Sequence, residues 1–279
     1  MAVIENVSAS AMASAPVRRL SPLRTFGRIS PAVWTIIALL VIWEVGVRVT
    51  HTPEFVLPSP SRIAEEFVAY WPRLLVQSTY TVAEILIGFV CSVLIGVPLA
   101  VLVTYSRFAD RAIYPLIVTS QTVPKVAIAP LMVAWFGYGV TPKIVIVVLL
   151  TFFPIVINSV VGLKASSAEM LYLARSMGAN SWQTFWKFRL PQAMPNMFAG
   201  FKLATVMAVI GAIVAEFVGS DVGLGYVIQV AGSSFNITRQ FGAIVMISII
   251  GMIFFMAMEW AEKVIVPWKS SSSAVGEDH

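Results

Sequence analysis

Four ionisable side chains interrupt long apolar stretches of the sequence: Glu84, Lys125, Glu216 and Glu259. A charge within a membrane span is costly, so such residues usually pair, reach water or contact a polar substrate or ion. Glu259 lies four residues before Lys263, which predicts a local ion pair and a structural role. For Glu216, contact with an outer vestibule and simple access to water are equally good interpretations.

Several uncharged polar residues accompany Lys125 in apolar segments. Lys125 follows Pro124, so it could contact an anionic substrate, although capping of a helix break explains it better. The amides and hydroxyl nearby either line a pathway or form hydrogen bonds between helices. The candidate pathway residues are therefore Gln121, Thr122, Lys125, Asn158 and Glu216.

The sequence lacks the residues that common enzymatic sites require. It has no G-x-x-x-x-G-K-[ST] phosphate loop, so any ATP, with its Mg²⁺, must bind to another subunit. His51 and His279 are the only histidines, and no Cys-His cluster or H-E-x-x-H motif is present. The single cysteine, Cys91, excludes an intramolecular disulfide. We therefore expect no enzymatic activity and no cofactor bound by this chain.

The composition is that of an integral membrane protein. Of 279 residues, 58% are hydrophobic and 12% are charged, and the mean hydropathy is +0.85. The net charge of +5 does not indicate a nucleic-acid surface, because the basic residues are dispersed between apolar segments. The sequence thus predicts an all-α protein that crosses the lipid bilayer several times.

Six apolar segments are long enough to cross a bilayer, at about 31–49, 78–105, 112–135, 143–163, 198–217 and 241–264. The third contains Pro115, Pro124 and Pro130, so it must bend or break. Broken backbone at membrane depth is tolerated only where protein or water satisfies the freed polar groups, which indicates a pathway. A short helix outside the membrane is expected from Ser59-Pro60 to Trp71.

The distribution of basic residues predicts the orientation. Most of those outside the spans lie on the side of the two termini, including Arg18, Arg19, Arg24 and Arg28 in the tail at 1–30. The positive-inside rule therefore places both termini, with the tails at 1–30 and 266–279, in the cytoplasm, and the transmembrane domain spans 31–265. Gly219, Gly223 and Gly225 predict a flexible loop on the outer side.

One polar segment, residues 164–196, separates the fourth and fifth spans. Gly178, Ala179 and Asn180 predict a turn between two helices, with Ser181 as the cap of the second and Pro191 as its end. An amphipathic connector on the bilayer surface, with its aromatic residues in the headgroups, is the alternative. Such a connector needs neither the Gly178 break nor the two prolines that follow.

This segment resembles the EAA loop of ABC importer permeases, in the runs Leu173-Ala174-Arg175-Ser176-Met177-Gly178-Ala179, Trp182-Gln183-Thr184-Phe185 and Leu190-Pro191-Gln192-Ala193-Met194-Pro195. Tyr172 stands where the family most often has a glutamate, and the nearest acid is Glu169. Leu57-Pro58-Ser59-Pro60 and the run from Val123 to Lys143 are similar to the sulfonate, nitrate, taurine and pyrimidine-precursor branch, and Gly223-Leu224-Gly225-Tyr226 resembles the family.

The resemblance implies a multi-pass permease of the bacterial inner membrane that works with two ABC ATPase subunits, an extracytoplasmic binding protein and a second copy of itself. It implies an ATPase-coupling role for Glu169, Leu173, Ala174, Arg175, Gly178, Ala179, Trp182, Phe185, Leu190 and Pro191. The implied substrate is a small organic or inorganic anion, or a pyrimidine-like precursor. The alternatives are an ATP-independent transporter or channel, with Glu84, Glu216 and Lys125 as an ion relay, and a structural membrane subunit.

Overall fold

The structure, a computed structural model, describes residues 31–269, and all regular secondary structure in this range is helical. The predicted tail at 1–30, with its arginines, and residues 270–279 of the predicted tail at 266–279 lie outside the described residues. The α-helices are α1 (Pro31–Val49), α2 (Pro60–Tyr105), α3 (Tyr114–Ser120), α4 (Ala129–Phe136), α5 (Val140–Lys164), α6 (Ala168–Ser176), α7 (Ser181–Thr184), α8 (Leu190–Gly219), α9 (Leu224–Ser233) and α10 (Ile237–Ile265).

Five helical segments are long and apolar enough to cross a membrane, and a bent pair makes a sixth. The bent pair joins Ala109–Ser120 to Lys125–Phe136 at an angle of 84°. It contains the three prolines of the third predicted span, so the expectation that this span bends or breaks is confirmed. A π-helical turn, Ala109–Ile113, precedes α3, and a 3₁₀ turn, Lys125–Ile128, precedes α4.

The second span differs from the prediction. A separate helix was expected from Ser59-Pro60 to Trp71 and a span from about residue 78, but α2 is one helix of 46 residues. Pro72 lies inside it without ending it, because one missing N–H removes a single hydrogen bond. Buried contacts hold both sides of the proline: Leu74 packs against Leu224 and Met246, and Phe67 packs against the same cluster.

The centre of the bundle is the pair α5 and α8, with α2 and α10 packed around it. Small residues allow the central helices to approach closely. A Cβ added at Gly162 would lie 2.7 Å from the carbonyl oxygen of Ala193, and one added at Gly200 would lie 2.6 Å from the Cβ of Asn158. Close packing through small residues is typical of membrane helices, since lipid gives no hydrophobic drive for them to associate.

Candidate functional site

The polar segment between α5 and α8 folds as two short helices joined by a tight turn. Ser167 caps α6 and accepts the N–H of Met170 at 3.3 Å. Gly178 has a φ of +75°, a conformation that favours glycine. Asn180, rather than the expected Ser181, caps α7 in a capping box with Gln183. The predicted helix-turn-helix is therefore present, with its cap one residue earlier.

The second helix of this segment does not end at Pro191, as the sequence had suggested. A π-helical turn, Phe185–Arg189, joins α7 to α8, and the N–H of Leu190 bonds to the carbonyl of Phe185. The helical segment Ser181–Gly219 is continuous over 39 residues. The wider π turn accommodates the proline, whose nitrogen cannot donate, and so the loop is joined rigidly to the span.

Large apolar side chains on this segment are exposed in the isolated chain. They are Tyr172 (70% exposed), Leu173 (57%), Met177 (72%) and Trp182 (69%), hereafter the exposed loop residues. Glu169, Arg175 and Gly178 are also exposed, and Ala179 is half-buried. Apolar groups gathered on a polar segment are typical of a surface that contacts another protein or the membrane.

The remaining residues of the predicted coupling set are buried or half-buried, and two of them pack against the bundle. Ala174 is fully buried. Phe185 and Leu190 are half-buried and pack against a core cluster that includes Leu163 and Ala193. Pro191 is half-buried at the start of α8. The predicted coupling set thus divides into exposed residues and residues that are buried or half-buried.

Three of the five candidate pathway residues line one groove of about 500 Å³ beside the bent span. Gln121, Lys125 and Asn158 supply its polar groups, and the rest of the wall is apolar: Leu150, Phe153, Pro154, Ile157, Leu203 and Met207. This groove lies between the helix break and the middle of α5. It is hereafter the central groove.

Lys125 has two partners in this groove. Its Nζ lies 3.1 Å from the carbonyl oxygen of Gln121 and 4.5 Å from the centre of the Phe153 ring. The first contact is the helix-break capping that the sequence favoured. The side-chain amide of Asn158 donates to the carbonyl of Pro154 at 2.8 Å, which leaves its oxygen as an acceptor.

Thr122 and Glu216 do not line the central groove. The hydroxyl of Thr122 donates to the carbonyl of Thr119 at 2.8 Å within the helix break. Glu216 is fully buried, which excludes both the open vestibule and simple access to water in this conformation. Its carboxylate accepts the hydroxyl of Thr81 at 2.6 Å and the N–H of Gly225 at 2.5 Å.

A buried ion pair lies at the same end of the bundle, opposite the polar segment. The Nζ of Lys143 is 2.5 Å from Oε1 of Glu84 and 2.9 Å from the hydroxyl of Ser220. Both charged side chains are 4% exposed. The sequence singled out Glu84, whereas Lys143 stood only at the outer end of the fourth predicted span, at about 143–163. Thr81 and Glu84 are three residues apart, which puts both on one face of α2. This spacing was the available sequence signal for a polar cluster at this position.

The glycine-rich loop after α8 is therefore held in place rather than flexible. The N–H of Gly223 donates to the side chain of Gln77 at 2.6 Å, and the N–H of Leu224 donates to Thr81 at 2.9 Å. An unpredicted helix, α9, follows directly, and its Leu224 is fully buried. By contrast, the predicted local pair of Glu259 with Lys263 is present at 2.9 Å.

A family model for the inner membrane component of binding-protein-dependent transport systems matches residues 92–271. A formylaminopyrimidine transport permease of Halalkalibacterium halodurans is 35% identical over 88% of this chain and 98% of its own length. A riboflavin transport permease of Chloroflexus aurantiacus is 36% identical over 92% of this chain and 98% of its own length. A taurine transport permease of Escherichia coli is 25% identical over 86% and 90%.

The fold is also similar to a solved structure. A chain of the inward-facing MetNI methionine ABC transporter aligns with a TM-score of 0.58 at 21% identity, covering 69% of this chain and 96% of that chain. The fold of this chain, its six apolar segments and the family match over most of its length agree with the resemblance of the polar loop to the EAA loop. The chain belongs to the binding-protein-dependent transport inner membrane components and is a permease subunit of an ABC importer in the bacterial inner membrane.

Proposed function

We propose that this permease imports a small nitrogen heterocycle of the pyrimidine-precursor or flavin type, and that the central groove is part of its path. The observation that carries the proposal is the composition of that groove. An aromatic ring, aliphatic side chains and two amides suit a flat, apolar molecule that also forms hydrogen bonds. The 35% and 36% identical relatives are named for formylaminopyrimidine and riboflavin, which supports the same class.

A small inorganic anion or a sulfonate fits this groove less well. Its one cationic side chain, Lys125, already has a carbonyl and an aromatic face as partners. The relatives named for sulfonate, taurine and nitrate transport share 24–28% identity with the chain. Both observations favour the heterocycle over the anion.

The energy for transport comes, in this proposal, from ATP bound with Mg²⁺ by two partner ATPase subunits. The exposed loop residues dock on those subunits, and the loop at 164–196, like both termini, is on the cytoplasmic side. An extracytoplasmic binding protein delivers the substrate to a pair of permeases, each a copy of this chain. The outward-open and inward-open states of the permease must bind the partner subunits with different affinities. Only such a difference lets ATP drive the change between the two states.

An ATP-independent ion relay is the rival, and the contacts of the charged residues argue against it. Glu84 is paired with Lys143, and Glu216 is bonded to Thr81 and Gly225. Of the three residues of that relay, Lys125 lines the central groove, whereas Glu84 and Glu216 do not. They fasten helices together at one end of the bundle instead of forming a chain of groups along a path.

The test is uptake by proteoliposomes that contain the permease and its ATPase, with binding protein outside. Radiolabelled formylaminopyrimidine, riboflavin, taurine and nitrate are compared, with and without ATP inside. Replacement of Asn158 by leucine should reduce ATP-dependent heterocycle uptake at least about tenfold, because the groove loses one of its two amides. Thr79→Val, which alters an exposed hydroxyl that bonds only within α2, is the control. Heterocycle uptake unchanged in Asn158→Leu, or ATP-dependent uptake of nitrate or taurine alone, would reject the proposed substrate class.

A further inference from the structure

The two ends of the polar loop are both attached to one short stretch of chain, residues 105–114, hereafter the α2–α3 connection. We infer that Tyr105 and Asp110 in this connection are positioning residues, through which displacement of the docked loop moves α3 and with it the central groove. The inference rests on the proposed coupling role of the loop. It adds the contacts by which that role reaches the pathway.

The first attachment is at the start of the loop. Lys164, the last residue of α5, forms an ion pair with Asp110, which lies in the π-helical turn Ala109–Ile113. The same ammonium lies 5.2 Å from the centre of the Tyr114 ring. One lysine therefore contacts both the π turn and the first residue of α3.

The second attachment is at the end of the loop. The ring of Tyr105, the last residue of α2, packs against the edge of Phe185 with 6.1 Å between ring centres. The guanidinium of Arg189 lies 4.9 Å from the centre of the same tyrosine ring. Phe185 and Arg189 are the first and last residues of the other π-helical turn. Both π turns of the described chain thus lie at the attachments.

The helix that follows the connection is short and has one buried residue, at its middle. Ile117 is the one buried residue of α3, whereas Leu116 is 68% exposed in the isolated chain. The helix ends at Ser120, and the next residue, Gln121, lines the central groove together with Lys125. A shift at the N-terminal end of this short helix would therefore move the polar groups of the groove.

These contacts are weak, so they are better suited to a connection that changes between states than to a rigid one. Lys164 and Asp110 are each 40% exposed, and exposed ion pairs contribute little to stability. A cation over an exposed aromatic ring is also a weak contact. Contacts of this kind can form in one state and break in another. π-helical turns, which are frequent at functional sites, supply backbone that can adjust.

The experiment measures the coupling ratio, defined as substrate molecules imported per ATP hydrolysed, in proteoliposomes that contain the complete transporter. The first variants are Tyr105→Leu and Tyr105→Phe; the second set is Lys164→Glu, Asp110→Lys and the two together, which reverses the pair. The matched control is the same exchange at Lys263 and Glu259, an exposed ion pair in α10. ATPase retained on purification reports assembly separately.

We expect Tyr105→Leu and each single charge reversal to lower the coupling ratio about fivefold, the usual scale for residues that modulate coupling. Tyr105→Phe keeps the ring, and the double reversal keeps the ion pair, so both should restore most of the ratio. The control exchange should leave the ratio unchanged. A purely structural role would instead reduce assembly and leave the ratio of the assembled transporter intact.

Different results would contradict the proposed function and the proposed role of the α2–α3 connection. If the wild type shows no ATP-driven uptake, the proposed function is wrong. If the wild type is coupled and Tyr105→Leu and Lys164→Glu keep its ratio, the role of the α2–α3 connection is wrong. Should Tyr105→Leu fail to assemble, the charge reversals decide, because they change exposed positions only; a double reversal that stays as uncoupled as the single variants would also overturn the inference.

Discussion

The hydroxyl of Thr81 lies 2.6 Å from Oε1 of Glu216 and joins the middle of α2 to the end of α8 across 135 residues of sequence. Each of these side chains also accepts a backbone N–H from the start of α9. Glu216 accepts the N–H of Gly225, and Thr81 accepts the N–H of Leu224. Two side chains thus satisfy the first amides of α9, which explains why a glycine-rich stretch is ordered here.

Replacement of Glu216 by alanine is expected to destabilise the permease. It leaves the Gly225 N–H and the Thr81 hydroxyl buried without their acceptor, at a cost of about 1–3 kcal/mol. Thermal unfolding of the purified permease in detergent measures the effect. Glu259→Ala, which removes a carboxylate from an exposed pair, should shift the midpoint much less. Equal midpoints for the two variants would show that the buried contacts contribute nothing.

The Glu84–Lys143 pair predicts a non-additive pair of mutations. Lys143→Met leaves a buried carboxylate without its counter-ion and should cost about 3–5 kcal/mol. Glu84→Leu combined with Lys143→Met removes both charges, so it should recover most of that loss. Urea unfolding of the wild type, the two single variants and the double variant completes the double-mutant cycle. Additive losses in the double variant would mean that the two side chains do not depend on each other.

Glu84 and Lys143 also show what the sequence could and could not predict. A glutamate in an apolar stretch is visible in the sequence, but its partner 59 residues away depends on how α2 and α5 pack. Lys143 follows two glycines and Pro142, a pattern typical of an outer turn, and only tertiary packing buries it. The same limit applies to Glu216, whose partners come from α2 and from the start of α9.

Local patterns were more informative where the chemistry is local. The bend at the third span follows from its prolines, and the turn of the loop follows from Gly178, which adopts a positive φ. The end of the second loop helix could not be predicted in this way. Pro191 normally indicates a break, yet the π turn before it lets the helix continue, and no sequence rule distinguishes the two.

Close packing of α5 against α8 predicts that Gly200 tolerates no large side chain. A Cβ there would lie 2.6 Å from the Cβ of Asn158 and 2.8 Å from the carbonyl oxygen of Pro154. Gly200→Leu should therefore cost at least about 1–3 kcal/mol, the usual cost of overpacking a core. Gly46→Leu, at a helical position with nothing within 4 Å, is the control. The measurement is the yield of monodisperse permease and its unfolding midpoint; similar values for both variants would contradict the packing described.

Gly178 predicts a graded series in the loop. Its φ of +75° disfavours a β-branched residue by about 1–2 kcal/mol, whereas asparagine adopts this conformation more readily. An added Cβ would meet nothing within 4 Å, so backbone strain alone separates the variants within this chain. Gly178→Val should lower ATPase co-purification and stimulated hydrolysis, and Gly178→Asn should be intermediate. The same loss in both variants would indicate that the added side chain interferes with binding of the ATPase, instead of backbone strain.

The most direct test of coupling through the loop compares two equally exposed tryptophans. Trp182, in the loop, and Trp260, in α10, are each 69% exposed in the isolated chain. ATP hydrolysis by the assembled transporter is measured in proteoliposomes with and without substrate-loaded binding protein. We expect stimulation to be lost in Trp182→Ala and retained in Trp260→Ala. Stimulation retained by Trp182→Ala, or lost equally in both variants, would contradict a specific role of the loop in coupling.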